Sequence, residues 1–251
     1  MSIAVDTGRR GGNDAAPRDG FSNRLLASLP EEDARRLAGL CDTVRIDIGD
    51  VLYEPGQAIR HIYFPSDSLI SLLAVAEGRM TLEVGAVGSE GMIGASVALG
   101  HELAQVRAVV QRAGAATRID SEDFCAEFIR MESLRRLLYR YTDTLLAQAI
   151  QIAVCSRFHV LEARLARSLL ITRDRLQSAK FHLTHEFLAH ALGVRRVGVT
   201  KAASALQQQK LISYSRGNIE ILDPAGLEAV SCHCYELVKD SGAIGMSHVF
   251  L

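Results

Sequence analysis

The chain has 251 residues, a formal net charge of −1 and 48% hydrophobic residues, enough to build one large domain or two ordinary ones around a real core. So even a charge balance excludes a globally basic nucleic-acid binder or a membrane-surface binder, and any electrostatic partner has to be read from local stretches. No apolar run approaches the roughly 20 residues that span a bilayer, and Arg9-Arg10 is followed by Gly11-Gly12-Asn13-Asp14 where a secretion signal needs apolar residues.

The chain is therefore expected in the cytoplasm, without a membrane partner. Residues 1–20, rich in glycine and scattered charge, read as a disordered tail. In SNRLLASLPEEDARRLAGL the leucines are helically spaced and Pro30 interrupts them, which predicts two short helices. From Thr43 to about Asp120, short apolar runs (VRID, VLYEPG, HIYFPSDSLISLLAV, TLEVGAVG, QVRAVV, AATRI) alternate with turn residues. That is the pattern of an all-β sandwich or barrel.

After Asp120 the period becomes helical. Leu134, Leu138, Tyr141, Leu145, Gln148, Ile152 and Cys155 recur at spacings of four and three, a heptad seam on one long helix from about Met131 to Ser156. Two readings follow from it: a helix packed on its own β-domain, or a two-chain coiled coil. The second is preferred because a polar Gln148 in the seam is the kind of residue that sets register between partners.

Beyond the helical segment HVLEARLARSLLITRDRL, Thr184 can cap HEFLAHAL, Gly193 can end it in a left-handed turn, and RRVGVTKAASALQQQ can begin a further helix. LISYS and NIEIL, separated by Arg216-Gly217, form a hairpin. The sum is a winged helix-turn-helix. Residues 187–219 contain no Asp or Glu, yet hold Arg195, Arg196, Lys201, Lys210 and Arg216. A local excess of basic residues is what phosphate neutralisation needs. At 100° per residue, Val199, Ala202, Ala203 and Leu206 make a core stripe, while Val197, Thr200, Lys201, Ser204 and Gln208 face outward with Arg195 and Arg196 at the N-terminal rim. Small, polar and basic side chains suit a major groove. His185 and His190 are five apart and diverge on a helix, which speaks against a zinc-protease motif.

Five cysteines, Cys41, Cys125, Cys155, Cys232 and Cys234, are odd in number and widely spread, so free thiols are expected rather than a disulfide framework. Cys232-His233-Cys234 lacks a second pair of ligands at a common zinc spacing, and no metal site is assigned. Nor is there a nucleophile and base, a carboxylate pair or a phosphate loop, so no enzymatic activity is expected.

The order of parts resembles the Crp/Fnr transcription regulators over residues 22–223. The most specific stretch is LTHEFLAHALGVRRVGVTKAASALQQQKLI with the wing SYSRGNIEIL; GDVLYEPG, IYFPSDSLISL and GSEGMIG follow the family more loosely. The resemblance implies an α+β chain. It would comprise a β-roll sensor domain (a jelly-roll of cyclic-nucleotide-binding type) over 21–130, a dimerisation helix over 131–157 and a winged helix-turn-helix DNA-binding domain over 158–251. It also implies double-stranded DNA, a second copy of the chain and RNA polymerase as partners. Arg196 matches the guanine-reading arginine of the family and Lys201 a later arginine of the same helix. Arg195, Thr200 and Arg216 fall at phosphate-contacting positions, and His185 at a backbone-contacting one. Val197 stands where cyclic-AMP-binding members carry a glutamate that accepts from cytosine.

The sensor departs from the family pattern. Gly94 is kept, but Ala95 replaces the ribose-binding glutamate. Glu102 or Leu103 is nearest to the phosphate-binding arginine, and Ala149 and Ile150 occupy the adenine-contacting positions. A pocket, if retained, would involve Gly94, Ala95, Ser96, Arg107, Ala149 and Ile150. Cyclic AMP is not expected as effector, and no other cofactor is assigned. The sequence thus predicts a dimeric DNA-binding regulator recognising a near-palindromic operator. The alternative is a cyclic-nucleotide or cyclic-dinucleotide sensor acting through protein partners.

Overall fold

The computed structural model describes residues 21–76 and 80–237; the predicted tail at 1–20 lies outside them. Two short helices, α1 (Arg24–Ala27) and α2 (Glu31–Ala38), flank Pro30 as the sequence predicts. Asn23 anchors the first of them from a fully buried position. Its side-chain oxygen accepts from Leu26 N at 3.1 Å and its amide donates to Pro65 O and Gly91 O, so a polar group in the core is completely satisfied.

Seven strands follow: β1 (Cys41–Ile46), β2 (Val51–Tyr53), β3 (His61–Pro65), β4 (Leu69–Val75), β5 (Thr81–Val87), β6 (Arg107–Arg112) and β7 (Gly114–Asp120). They form two antiparallel sheets, ordered β1-β7-β3 and β2-β6-β4-β5. Between them Ile62, Phe64, Ile70, Val87, Ala108, Val110 and Ile119 are all buried, the inward half of an alternating pattern. The long apolar run HIYFPSDSLISLLAV divides into β3 and β4 at the turn residues Ser66-Asp67-Ser68.

Asp120 caps α3 (Ser121–Arg130) by accepting from Glu122 N, and α4 (Glu132–Phe158) then runs for 27 residues. Here the preferred seam reading is corrected. Leu134, Leu138 and Tyr141 are buried in the β-domain core with Leu145 packed against it, and Gln148 and Ile152 face Leu69, Glu83 and Ala86 of the sheet and Arg167 beyond. The stripe is covered by the chain's own sheets and by the segment that carries Arg167, so it is not free to zip with a second helix. A three-four spacing reports an apolar face and says nothing of what covers it. The Tyr141 hydroxyl closes the contact, donating to Met92 O at 2.9 Å and accepting from Met92 N at 3.0 Å.

A second core gathers α5 (Leu161–Leu176), α6 (His185–Leu192), α7 (Arg196–Gln208), α8 (Pro224–Val230) and a small sheet. That sheet runs β8 (Lys180–His182), β10 (Asn218–Ile221), β9 (Ile212–Ser215), and β8 is a strand the sequence does not announce. The two cores touch where α6 meets β5. Thr81 Oγ1 donates to His190 O at 3.1 Å, and a Cβ on Gly193 would stand 3.2 Å from Leu82 Cδ1. No helix among the described residues is long and apolar enough to cross a membrane.

Candidate nucleic-acid interface

The helix pair is built as its punctuation predicts. Thr184 accepts from Phe187 N at 3.1 Å to start α6, and Gly193 ends it with φ 64°, a left-handed conformation in which glycine is strain-free. Val199, Ala202, Ala203 and Leu206 of α7 are buried, as their spacing requires. Gly198 lies within the helix for a packing reason. A Cβ there would sit 3.0 Å from Leu161 Cδ2, so the glycine lets α7 close on α5.

The outward face of α7 is open. Arg195, Arg196, Val197, Thr200, Lys201 and Ser204 are all exposed, Val197 at 60%. No acid occupies the first turn of the helix, so the positive end of its macrodipole and two guanidiniums reinforce one another. Such an end attracts anions and costs the isolated helix stability.

His185 and Thr200 tie the two helices together. The Thr200 hydroxyl lies 3.0 Å from His185 Nδ1 and 3.1 Å from Arg196 O, and the imidazole stacks on Tyr214 of β9 with 4.0 Å between centroids. Burial, and then the nearby Arg196 charge, push the His185 pKa below its ordinary value, so the ring is neutral near pH 7. Its Nε2 is buried without a hydrogen-bond partner. Tyr214, which sequence reasoning did not single out, also donates its backbone N–H to Gln207 Oε1 at 2.9 Å, fastening the wing to α7. Arg216 (φ 49°) and Gly217 (φ 87°) make the two left-handed residues of the hairpin turn and present the Arg216 side chain to solvent. Inside the domain, Arg164 of α5 donates to Leu192 O, satisfying a carbonyl at the end of α6.

The sensor positions converge less well. Gly94 has φ 95° and opens the short 3-10 helix Ala95–Leu99, where a Cβ would stand 2.7 Å from Ile62 Cδ1. Ala95 and Ser96 are half-buried there. Arg107 is paired with Glu54 at 2.8 Å. Ala149 is half-buried on α4, while Ile150 is 57% exposed and turned away from the sheets. Two cavities near α5, of about 30 and 250 Å³, are lined by other residues.

A second group of side chains comes together at the far end of α4. Cys155, His159, Cys232 and Cys234 bring their ligand atoms within 4.8 Å of one another. The premise that Cys232 and Cys234 lack a second pair is thereby corrected, because the fold supplies Cys155 from the last turn of α4 and His159 from its C-cap. His233, between them in sequence, turns outward to Glu236. A hydrogen bond with Cys232, opposed by burial and aided by the Arg167 charge, lowers the Cys155 thiol from its ordinary value.

A winged helix-turn-helix carried on a two-sheet β-domain through one long helix is an architecture of DNA-binding regulators. Residues 163–230 match the Crp-like helix-turn-helix domain, and the described chain has the Crp/Fnr fold. It is similar to a Crp/Fnr-family transcriptional regulator of Eubacterium rectale, at 16% identity over 83% of this chain and 98% of that one, with a TM-score of 0.68. FixK2 of Bradyrhizobium japonicum aligns at 13% identity over 76% and 98%, TM-score 0.67. A Crp/Fnr-family regulator of Thermus thermophilus aligns at 24% identity over 76% and 98%, TM-score 0.63. No curated protein matches by sequence.

Proposed function

We propose that this chain is a sequence-specific, double-stranded-DNA-binding transcription regulator of Crp/Fnr type that works as a homodimer in the cytoplasm. The observation that carries the reading is the acid-free outward face of α7, flanked by the Arg216 turn. In this reading α7 enters the major groove, Arg196 reads a base edge, and Val197, Lys201 and Ser204 face the bases. Arg195, Thr200, His185 and Arg216 hold phosphates or position the groups that do.

Dimerisation is supported by a face of α4 other than the seam. Leu146, Ile150, Val154 and Phe158 are 58, 57, 41 and 72% exposed and recur every four residues, an apolar stripe spanning about 120° of helix. Two copies joined there would present their α7 helices to half-sites about 34 Å apart. The altered sensor positions and the Arg107–Glu54 pair favour a β-domain that binds an effector other than cyclic AMP or serves as a platform. RNA polymerase is the partner that such a regulator would contact on DNA.

Selection of binding sites from random duplex DNA with the full chain tests the reading. An inverted repeat should emerge, and Arg195→Ala, Arg196→Ala and Lys201→Ala together should abolish binding. A selection that yields no inverted repeat, or a triple variant with unchanged affinity and salt dependence, would point instead to a sensor acting through protein partners.

A further inference from the structure

The cluster at the foot of α4 has the composition and size of a metal centre. Cys155 lies in the last turn of α4 and His159 is its C-cap, and their ligand atoms converge with those of the other two residues. Cys232 and Cys234 arrive from the segment after α8, alternate residues turned to the same point. Cys155 Sγ and Cys232 Sγ are 3.5 Å apart, and Cys234 Sγ lies 3.3 Å from His159 Nδ1. The three cysteines are 1, 7 and 2% exposed, so bulk water does not fill the space between them.

Two simpler accounts fit poorly. Cysteines used as core filler pack among aliphatic side chains, whereas among the described residues the hydrophobic neighbour packed against these three is Ala163. A disulfide needs about 2.05 Å between sulfurs and would leave one thiol and the imidazole unexplained; all three cysteines are free. A tetrahedral ion with metal–sulfur bonds of about 2.3 Å sets its ligand sulfurs roughly 3.8 Å apart and sulfur and nitrogen slightly closer. The observed separations, 3.3 Å to at most 4.8 Å, bracket that single-ion size. An iron–sulfur cluster spreads its cysteines over different iron atoms and needs a wider cage.

The surroundings complete the site. Gln151 Nε2 donates to Cys234 Sγ at 2.8 Å, an outer hydrogen bond that orients the sulfur. A divalent ion with three thiolates and a neutral imidazole carries a net charge of −1. Arg164 and Arg167, both buried on α5, are close enough for their charges to act on Cys155, and Arg167 Nε has no hydrogen-bond partner. Buried cations beside a buried anionic centre offset its desolvation.

We propose that Cys155, His159, Cys232 and Cys234 bind one zinc-type divalent ion in a closed tetrahedral site. Four protein ligands and no open position define a structural rather than a hydrolytic centre. The ion joins the end of α4 to the end of the winged domain across the α4–α5 junction at His159-Val160. It thereby fixes the angle at which the helix-turn-helix leaves the long helix. This inference does not rest on DNA binding.

The full chain, produced without a polyhistidine tag in zinc-supplemented medium and stripped of loosely held metal by dialysis, should contain about one zinc per chain. A mercurial thiol reagent should release it. Cobalt(II) added to the metal-free chain should give the intense visible bands of a tetrahedral site and sulfur-to-cobalt charge transfer. Cys155→Ser and Cys234→Ser should lose the ion, Cys41→Ser and Cys125→Ser should keep it, and His159→Cys should keep it with stronger charge transfer. If the serine variants fail to fold, the zinc content and cobalt spectrum of the natural chain decide. Less than a tenth of an ion per chain with no tetrahedral cobalt spectrum, metal retained by Cys155→Ser, iron with acid-labile sulfide, or a Cys155–Cys232 disulfide in freshly isolated protein would each overturn the proposal.

Discussion

Tyr141→Phe removes one oxygen atom and separates the two readings of the long helix. The hydroxyl accepts from Met92 N and donates to Met92 O inside the core, with the tyrosine and methionine both buried. Two hydrogen bonds at about 1 kcal/mol net each set the lower end of the loss, and a stranded N–H and C=O at roughly 1–3 kcal/mol apiece raise it. The variant should therefore lose roughly 2–6 kcal/mol of β-domain stability. Gly91→Ala should act on the same contact, because a methyl there collides with the Tyr141 hydroxyl. Denaturant unfolding followed by circular dichroism measures the loss, and sedimentation equilibrium measures association in the same samples. Self-association should be unchanged in Tyr141→Phe and weakened at least tenfold in Ile150→Glu, which places a charge in the exposed stripe of α4. A Tyr141→Phe protein of unaltered stability but impaired association would refute the assignment of faces.

Three further outcomes are expected. Val197→Glu should change the selected operator at one base pair per half-site, from preference for a thymine methyl to preference for a cytosine amine; identical site preferences would refute the role of Val197. Gly217→Ala should destabilise the winged domain by roughly 1–3 kcal/mol in thermal unfolding, because φ is 87° and the new Cβ would stand 2.5 Å from His182 Cε1. At Glu83, which accepts from Ser71 Oγ and faces Arg175 and Arg167, burial pushes the carboxyl above its ordinary value. Its folded-state pKa exceeds the unfolded one, so the linked stability is complete below the unfolded value and is lost as pH rises through the folded value. Melting temperatures of the natural chain and Glu83→Gln, followed upward from about pH 4, should converge in slope only outside that window; parallel curves throughout would contradict this.

What the sequence by itself determined is local. Thr184, Gly193 and Arg216-Gly217 mark helix start, helix stop and hairpin because each requirement, a side-chain acceptor or a left-handed φ, is met within a few residues. The buried stripe and open basic face of α7 follow from helical periodicity in the same way. The tertiary structure decided which neighbour each surface meets. The leucines of α4 advertise an apolar face, and only the packed sheets show that it is spent within the chain while Leu146 and Ile150 remain outside. Gly198 costs its helix about 1 kcal/mol relative to alanine, and only the packing of Leu161 beside it gives the reason. Cys155 and Cys232 meet across 77 positions of the chain, a separation at which spacing rules carry no information. Local rules act through bonds and turns, but a four-ligand cluster exists only once two distant segments have been folded onto one point.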